Sequence, residues 1–487
     1  MKRILCRTAF CLIALVGSAF GSVTAHAETP KESVTAVVEQ GGTTVKYTSD
    51  KMNKAWNDAE NSGGVIKLMS DWKPTSAMTV SSGKSVTLDL NGHIIDRELY
   101  KYESGGAFVI VQSDATLNII DSSPDTVHKG LAVKGGILTG GKSSNTSGCI
   151  DMQKGSTVKI EGCSIMSCAT QQDGAAVRMD GVCELTAEDT GFYSNYTQDS
   201  KQRCYGGAIY VGDGTAFIRS CTFDGNYCED HGGAIYMNDG ELQIENSMFR
   251  SNAAGKQGGA IYCDDTYNNS MIQGCTFVSN TAEGNGGAIS VVGCKQLVMY
   301  NSIFSLNSTN SSGGAIYVES DKVILANSTV TANKAKEYGG GVFVDSLHDI
   351  GVQGKVIVRN NKNGKDENND LCLQSGRVST AYLSNGGLYD GSMIYITSTT
   401  TDRILAAKQI SKYQSSMYIR ANKGSAVIDE STTEQVEEKF ISSAIGKGSL
   451  IAIFVGVGAL AVTCVMIVRK KKLAKGEKNN DAKKTDE

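Results

Sequence analysis

Proline is almost missing from this chain: 3 residues in 487, beside 55 glycines. That excludes a collagen-like helix and a Pro-rich linker protein. Tryptophan occurs twice and aromatic residues make up only 7%, which argues against a helical globule packed on aromatic side chains. Wholesale disorder is excluded as well, because charged residues are 20% and apolar residues 40%. Neither charge sign dominates, with 47 Lys and Arg against 51 Asp and Glu. Among the 14 cysteines there is no Cys-x-x-Cys pair and no zinc-like spacing.

The two ends read as targeting segments. Lys2, Arg3 and Arg7 precede an apolar stretch ending near Phe20, followed by Ala25-His26-Ala27, a small-x-small cleavage pattern. Residues 1–27 are therefore expected to be a secretory signal. Ser449 to Val468 carries no charge, and Arg469-Lys470-Lys471-Lys472 follows at once. Twenty helical residues span roughly 30 Å, the thickness of a bilayer core. The expectation is a single transmembrane helix at 449–468, a cytoplasmic tail at 469–487 and an N-terminus outside the cell. With both basic ends set aside, segment 28–448 is markedly acidic. An acidic ectodomain disfavours nucleic acid as a partner. Eleven cysteines fall in that segment, an odd number that leaves at least one thiol outside any internal pairing.

The middle of the chain repeats. Gly-Gly-Ala-Ile-Tyr or a close variant begins at Gly206, Gly232, Gly258, Gly286, Gly313 and Gly339, with degenerate copies at Gly174 and Ser147. A second signature places Asn three residues after an aromatic or aliphatic one: Phe192/Asn195, Phe223/Asn226, Phe249/Asn252, Phe277/Asn280, Phe304/Asn307 and Val330/Asn333. Ile165/Cys168 is an imperfect copy. Short alternating runs separated by Gly and Asn are strand chemistry. The Ile209, Ile235, Ile261, Ile289, Ile316, Val342 column should point inward, as should Val211, Met237, Cys263, Val291, Val318 and Val344. The same phase runs upstream to Leu88/Leu90 and downstream to Val356/Val358. A period of about 27 residues fits one turn of a parallel β-helix, whose coils bury an apolar face only by stacking. The fold class expected is all-β, a right-handed parallel β-helix followed by one transmembrane helix. Within it, the Asn column would form a buried amide ladder, each side chain donating to the next coil and accepting from the previous one.

The expected organisation is an N-terminal cap at 28–64, the β-helix at 65–345, last coils and a β cap at 346–430, and a stalk at 431–448. The cap would hold a short helix over Met52–Asn61, started by Ser49-Asp50 and stopped at Gly63-Gly64.

Gly-Gly-Ala-(Ile/Val) in phase with Phe-x-x-Asn over residues 147–345 resembles the repeats of chlamydial polymorphic membrane proteins. Val86-Thr87-Leu88-Asp89-Leu90-Asn91-Gly92-His93 is similar to the first coils of pectin-lyase-like surface proteins of Gram-positive bacteria. These resemblances imply a right-handed β-helix, surface display and, for the chlamydial proteins, adhesion to host cells. Chlamydial members end in an outer-membrane β-barrel whereas this chain ends in a helix, so autotransport is not implied. No Leu-Pro-x-Thr-Gly precedes the span, so neither is wall attachment by a sortase.

Three features carry candidate chemistry. Acids follow the first strand of each repeat at Asp180, Asp213, Asp239, Asp264, Asp265, Glu319 and Asp345. Carboxylate oxygens suit Ca²⁺, with Asp213, Asp239, Asp264 and Asp265 as its ligands, although Asp is also a turn residue. No other cofactor is expected. Beside the inward Ile column stands an outward one of Tyr210, Tyr236, Tyr262, Tyr317 and Phe343, broken by Ser290, with Ala234 facing out next to Tyr236. Stacked flat rings at about 4.8 Å spacing would bind an extracellular glycan or a host-cell protein, or simply strengthen the sheet. The third feature is Glu229-Asp230-His231, near Asp264-Asp265 by repeat phase. It is the best acid–base set for a polysaccharide lyase or hydrolase, because only His93, His128, His231 and His348 remain after the signal. The sequons at Asn145, Asn195, Asn268, Asn307, Asn310 and Asn327 include two residues of the inward Asn column, where a glycan would not fit. The reading taken is a non-enzymatic, adhesin-like or ligand-binding rod at the cell surface, with an anchored enzyme or a structural surface-layer component as alternatives.

Overall fold

The computed structural model describes residues 33–199, 202–264, 268–320, 322–345, 348–374, 381–398 and 419–421. The signal, stalk, span and tail expected from the sequence, and Asp265, lie outside the described residues. Among the described residues no helix is long and apolar enough to cross a membrane.

Each Gly-Gly pair sets a corner of the coil. The first glycine is left-handed, with Gly232 at φ 71°. At the second, a Cβ on Gly233 would sit 2.1 Å from the Gly259 carbonyl oxygen of the next coil. Backbones approach there more closely than any side chain allows. The strand that follows stacks in parallel, Ile209 on Ile235 on Ile261 on Ile289 on Ile316 on Val342. Two further strands per coil stack the same way, as Ile218 on Ile244 on Ile272 and Phe223 on Phe249 on Phe277 show. A two-residue strand closes the coil and builds a separate sheet running from Lys142–Ser143 to Lys334–Ala335. The result is an all-β solenoid of about 11 turns. Parallel stacking continues past Asp345, with Ile350–Gly354 on Val323–Ala326 and Ile357–Arg359 on Thr329–Thr331.

The inward columns form one continuous core cluster from Ala36 to Ile396. Inside it, Phe192, Phe223, Phe249, Phe277 and Phe304 stack nearly parallel at 4.6–4.8 Å. Full burial of each such ring stabilises by roughly 1.5–3 kcal/mol. Ala234 also lies in this core, so the expectation that it faces out is corrected. Ile235 opens its strand, and Ala234 still belongs to the Gly-Gly corner, where strand alternation does not apply.

The amide ladder forms as expected and extends one rung further, to Asn361. Asn252 shows the pattern: its Nδ2 donates to Asn280 Oδ1 at 3.0 Å and to the Phe223 carbonyl at 3.0 Å. Its Oδ1 accepts from Asn226 Nδ2 at 2.9 Å and from the Asn226 backbone N–H at 3.0 Å. Both lone-pair directions and both donors are used, so no polar atom of the buried amide is orphaned. The last rung, Asn361, donates to Asp370 Oδ1 through its backbone N–H and through Nδ2 at 2.8 Å. Asn195 and Asn307 are fully buried rungs, which excludes glycans at those sequons.

The N-terminal end is closed by an α-helix, Met52–Ser62, burying Met52, Ala55, Trp56 and Ala59. Trp56 Nε1 donates to the Thr79 carbonyl at 2.7 Å, and its ring meets Phe108 edge-on at 6.3 Å. Gly63 at φ 69° caps the helix, its N–H bonded to the Ala59 carbonyl. Ser49–Lys51 forms a 3₁₀ turn instead of a side-chain cap, a difference from the sequence expectation. An antiparallel hairpin, Ala36–Gln40 with Thr43–Tyr47, pairs onto Val65–Leu68 and completes the lid.

Candidate functional site

The outward aromatic column is in register but not open. Tyr210, Tyr236 and Tyr262 stack at 5.6 and 5.4 Å, and Tyr317 stacks on Phe343 at 5.6 Å. Yet Tyr236 is 5% exposed, Tyr262 6%, Tyr317 7% and Phe343 5%; of the five rings only Tyr210 is half-buried. At three corners the residue just before the Gly-Gly pair folds over the next coil. Tyr205 stacks on Tyr236 at 4.4 Å, His231 lies 4.6 Å from Tyr262, and Gln257 Oε1 accepts from the Ser290 hydroxyl at 3.0 Å. A second, outer layer therefore covers the ribbon, and the open platform expected for a ligand is absent from this face. Burial, then the hydrogen bond to Asp264 Oδ2 at 2.7 Å, drives the Tyr236 phenol far above its ordinary range. The signal for this layer was the bulk of Tyr205, His231, Gln257 and Tyr338 ahead of each glycine pair.

The acids do not form one row. Asp264 pairs in register with Asn238, so Asp239 stands one residue later, in a left-handed turn at φ 58°. Asp213 Oδ1 accepts from the Gly214 N–H at 2.7 Å, Glu319 Oε2 from Tyr317 at 3.2 Å, and Asp180 Oδ2 from Arg178 at 3.1 Å. Among the described residues no group of three or more His, Cys, Asp or Glu side chains is placed to hold a metal ion.

Around His231 the chemistry is local. Asp230 pairs with Lys256 and accepts from the Cys204 N–H at 3.1 Å. Burial, then the neighbouring Lys256 cation, pushes His231 down to about 4, so the ring is neutral at pH 7. Glu229 Oε2 and His231 Nδ1 are buried without hydrogen-bond partners among the described residues. A shallow groove of about 350 Å³ opens beside His231, lined also by Lys256, Gln257, Glu283, Asn285 and Ser311.

A second concavity lies elsewhere, and sequence reasoning missed it. A cleft of about 920 Å³ runs along the rod flank, between the segment after Thr116–Ile120 and the corner before the third strands. It is lined by Pro124 and Lys134 from that segment, by Glu161, Asp189 and Thr190 from successive coils, and by Tyr193, Asp224 and Arg250. The charges inside it are mostly committed. Asp121 accepts from the backbone N–H groups of Gly92 at 2.6 Å, Ser123 at 3.1 Å and Gly136 at 2.5 Å. Glu161 pairs with Lys159 at 2.8 Å, and Asp224 pairs with Arg250. Asp189 is the cleft carboxylate with no partner among the described residues. Tyr193 lies across Gly191, where any Cβ would strike its ring; burial, then Asp224, raises its phenol above the ordinary value. Pro124 and Lys134 belong to the insertion after Ile120, which breaks the repeat length. That irregularity was the available signal.

Residues 207–370 match the family model described as the right handed beta helix region. No curated protein and no solved structure matches the chain. The class defined by fold and comparison together is the right-handed parallel β-helix, a scaffold found in enzymes and non-enzymes alike.

Proposed function

We propose that this chain is a ligand-binding β-helix rod displayed at the cell surface, holding an extended neutral glycan in the flank cleft. The cleft carries the reading. Its volume falls within the range of ligand sites, and it crosses several coils, offering a repeating polar lining to a repeating ligand. Because its carboxylates are mostly tied to backbone amides or cations, it presents hydrogen-bonding groups rather than free charge. Tyr193 supplies a ring for a sugar face. Binding is favoured over turnover because a glycoside-cleaving site needs two uncommitted carboxyl groups, and here Asp189 stands alone. Surface display rests on the signal-like and span-like ends and on the resemblance to adhesive chlamydial repeats.

The test is a glycan array with the full chain, followed by Tyr193→Ala and Arg250→Ala. Each variant should keep its melting temperature within a few degrees and lose about tenfold or more in affinity, the scale of an interface anchor. Unchanged binding by both variants would remove the cleft from consideration. Release of new reducing ends from a bound glycan would establish the enzyme instead. For topology, protease applied to intact cells should remove 28–448 and spare the Arg469–Glu487 tail.

A further inference from the structure

All eleven described cysteines are buried and unbridged, but they are not equivalent. Six of them meet in twos. Cys149 occupies the Ala position of its Gly-Gly-Ala corner and Cys168 the Asn position of the same coil. These two positions adjoin inside the rod: where the last corner has Gly341, an added Cβ would lie 2.8 Å from Asn361 Nδ2. Cys149 and Cys168 accordingly share the interior of one coil, both fully buried in the same core. Cys228 Sγ donates to the Cys204 carbonyl oxygen at 3.1 Å, which sets the two cysteines side by side. Cys263 sits inward on Ile261–Asp264, in register with Val291 of the neighbouring strand Ile289–Val292, and Cys294 follows that strand in the same core.

The other five thiols are kept apart. Cys163, Cys221 and Cys275 share one column with Thr190, Ser247 and Ser302. Cys221 and Cys275 donate their backbone N–H groups to the Ser247 and Ser302 hydroxyls at 3.0 and 3.2 Å. Alternation with Ser and Thr puts successive thiols of this column two coils apart, about 9.6 Å at the usual strand spacing. A disulfide cannot span that, since its Cα atoms lie within about 7 Å. Cys183 Sγ donates to the Gln153 carbonyl at 3.3 Å, and Cys372 is packed alone of the cysteines beside Tyr317 and Phe343.

We infer that Cys149–Cys168, Cys204–Cys228 and Cys263–Cys294 are built to become three internal disulfides, leaving Cys163, Cys183, Cys221, Cys275 and Cys372 as free thiols. This division accounts for the odd count, and it is independent of the glycan reading. The oxidant is a disulfide of low molecular weight or a thiol oxidoreductase. A thiolate of the chain attacks R–S–S–R, releases R–SH and forms a mixed disulfide; its partner thiol then attacks that bond, releasing a second R–SH. Each bridge costs the chain two hydrogens, and the disulfide donor is reduced to two thiols. Since all six sulfurs are buried in the finished rod, the exchange belongs to folding, before the coils that cover each pair have closed over it.

The experiment refolds the full chain from the reduced, denatured state in a glutathione redox buffer, then quenches with an alkylating reagent and maps peptides by mass spectrometry. The expected result is the three named bridges, with Cys163, Cys183, Cys221, Cys275 and Cys372 alkylated. Alkylation of all six cysteines assigned to bridges, or a bridge joining any of those five, would overturn the assignment. Cys149→Ala with Cys168→Asn restores the residues of the other coils, so this variant should fold and lose only its own bridge. If the double variant instead recruits Cys163 into a new bridge, the pairing is not set by the coil geometry and the inference fails.

Discussion

Tyr205 and Tyr236 belong to successive coils, yet their rings stack 4.4 Å apart and close the outer face over the Ile235 strand. Tyr236 faces away from the main core and is still almost fully covered. Replacing it with Ala should cost about 3–5 kcal/mol, the scale of a buried aromatic. Tyr236→Phe should cost about 0.5–1.5 kcal/mol for the hydrogen bond to Asp264. Urea denaturation measures both. A Tyr236→Ala loss below about 0.5 kcal/mol, the range of surface changes, would show the ring to be exposed.

Asn252 is the middle rung of the amide ladder and touches both neighbours. Asn252→Leu removes four hydrogen bonds: the Asn226 backbone N–H and its amide Nδ2 lose the Asn252 Oδ1 acceptor, and Asn280 Oδ1 keeps only the backbone N–H of residue 252. Each orphaned group costs about 1–3 kcal/mol, so a loss of several kcal/mol is expected in chemical denaturation. Asn268→Leu is the control, since Asn268 is exposed. Equal effects at the two positions would contradict the ladder.

The coil was legible because its causes repeat: a left-handed glycine, an apolar residue two positions from another, and Asn after Phe each recur once per turn. Asn361 obeys the same rule, with Val358 three residues before it as Val330 precedes Asn333; it escaped because no Gly-Gly-Ala corner follows it to mark another turn. The outer layer was illegible for a different reason. Alternation tells which side of a strand Tyr236 faces, but not that Gly206 and Gly232 fold the preceding side chains onto that side. The flank cleft depends on the insertion after Ile120, whose path no periodicity encodes.

Two buried groups tilt the pH dependence of stability in opposite directions. His231 is held down to about 4 against an ordinary 6.5. Between those values the unfolded chain takes up the proton and the folded one does not, so this site's contribution is lost as pH falls from about 6.5 to 4. Asp173, half-buried, is pushed up to about 6 by burial, against the hydrogen bond it accepts from the Tyr205 N–H at 2.8 Å. From an ordinary 3.8 to 6 the folded state holds the extra proton, so stability falls as pH rises through that window. Melting curves of His231→Gln minus wild type should therefore rise as pH drops from 7 to 4. The same difference for Asp173→Asn should rise from pH 4 to 7. Two flat differences would mean that both groups are solvated in the fold.

Asp213, Asp239 and Asp264 fall into two phases, and each carboxylate accepts a protein hydrogen bond, from the Gly214 N–H, Asn238 Nδ2 and the Tyr236 hydroxyl respectively. Millimolar EDTA should leave the melting temperature of the protein unchanged. A fall of several degrees, reversed by Ca²⁺, would restore the cation column.

Gly233 tests the closest contact in the stack. Its φ is ordinary, so an alanine there has no conformational penalty of its own, but the Cβ would lie 2.1 Å from Gly259 O and 2.6 Å from Ala253 O. Both atoms are backbone and cannot turn aside. The coils must separate, stretching the 3.0 Å hydrogen bond from the Gly233 N–H to the Gly258 carbonyl. Gly225 is the complementary case: left-handed at φ 68°, with nothing nearer to an added Cβ than Ser194 Oγ at 3.5 Å. Gly225→Ala should cost only the left-handed penalty of about 1–2 kcal/mol. Gly233→Ala should exceed about 4 kcal/mol, in the range reserved for overpacked or broken cores. Amide hydrogen exchange should locate its damage at the Ala234 and Ala260 corners, on both sides of the forced contact. Similar losses for the two variants would mean that the second glycine column is there for flexibility, and that neighbouring coils have room to spare.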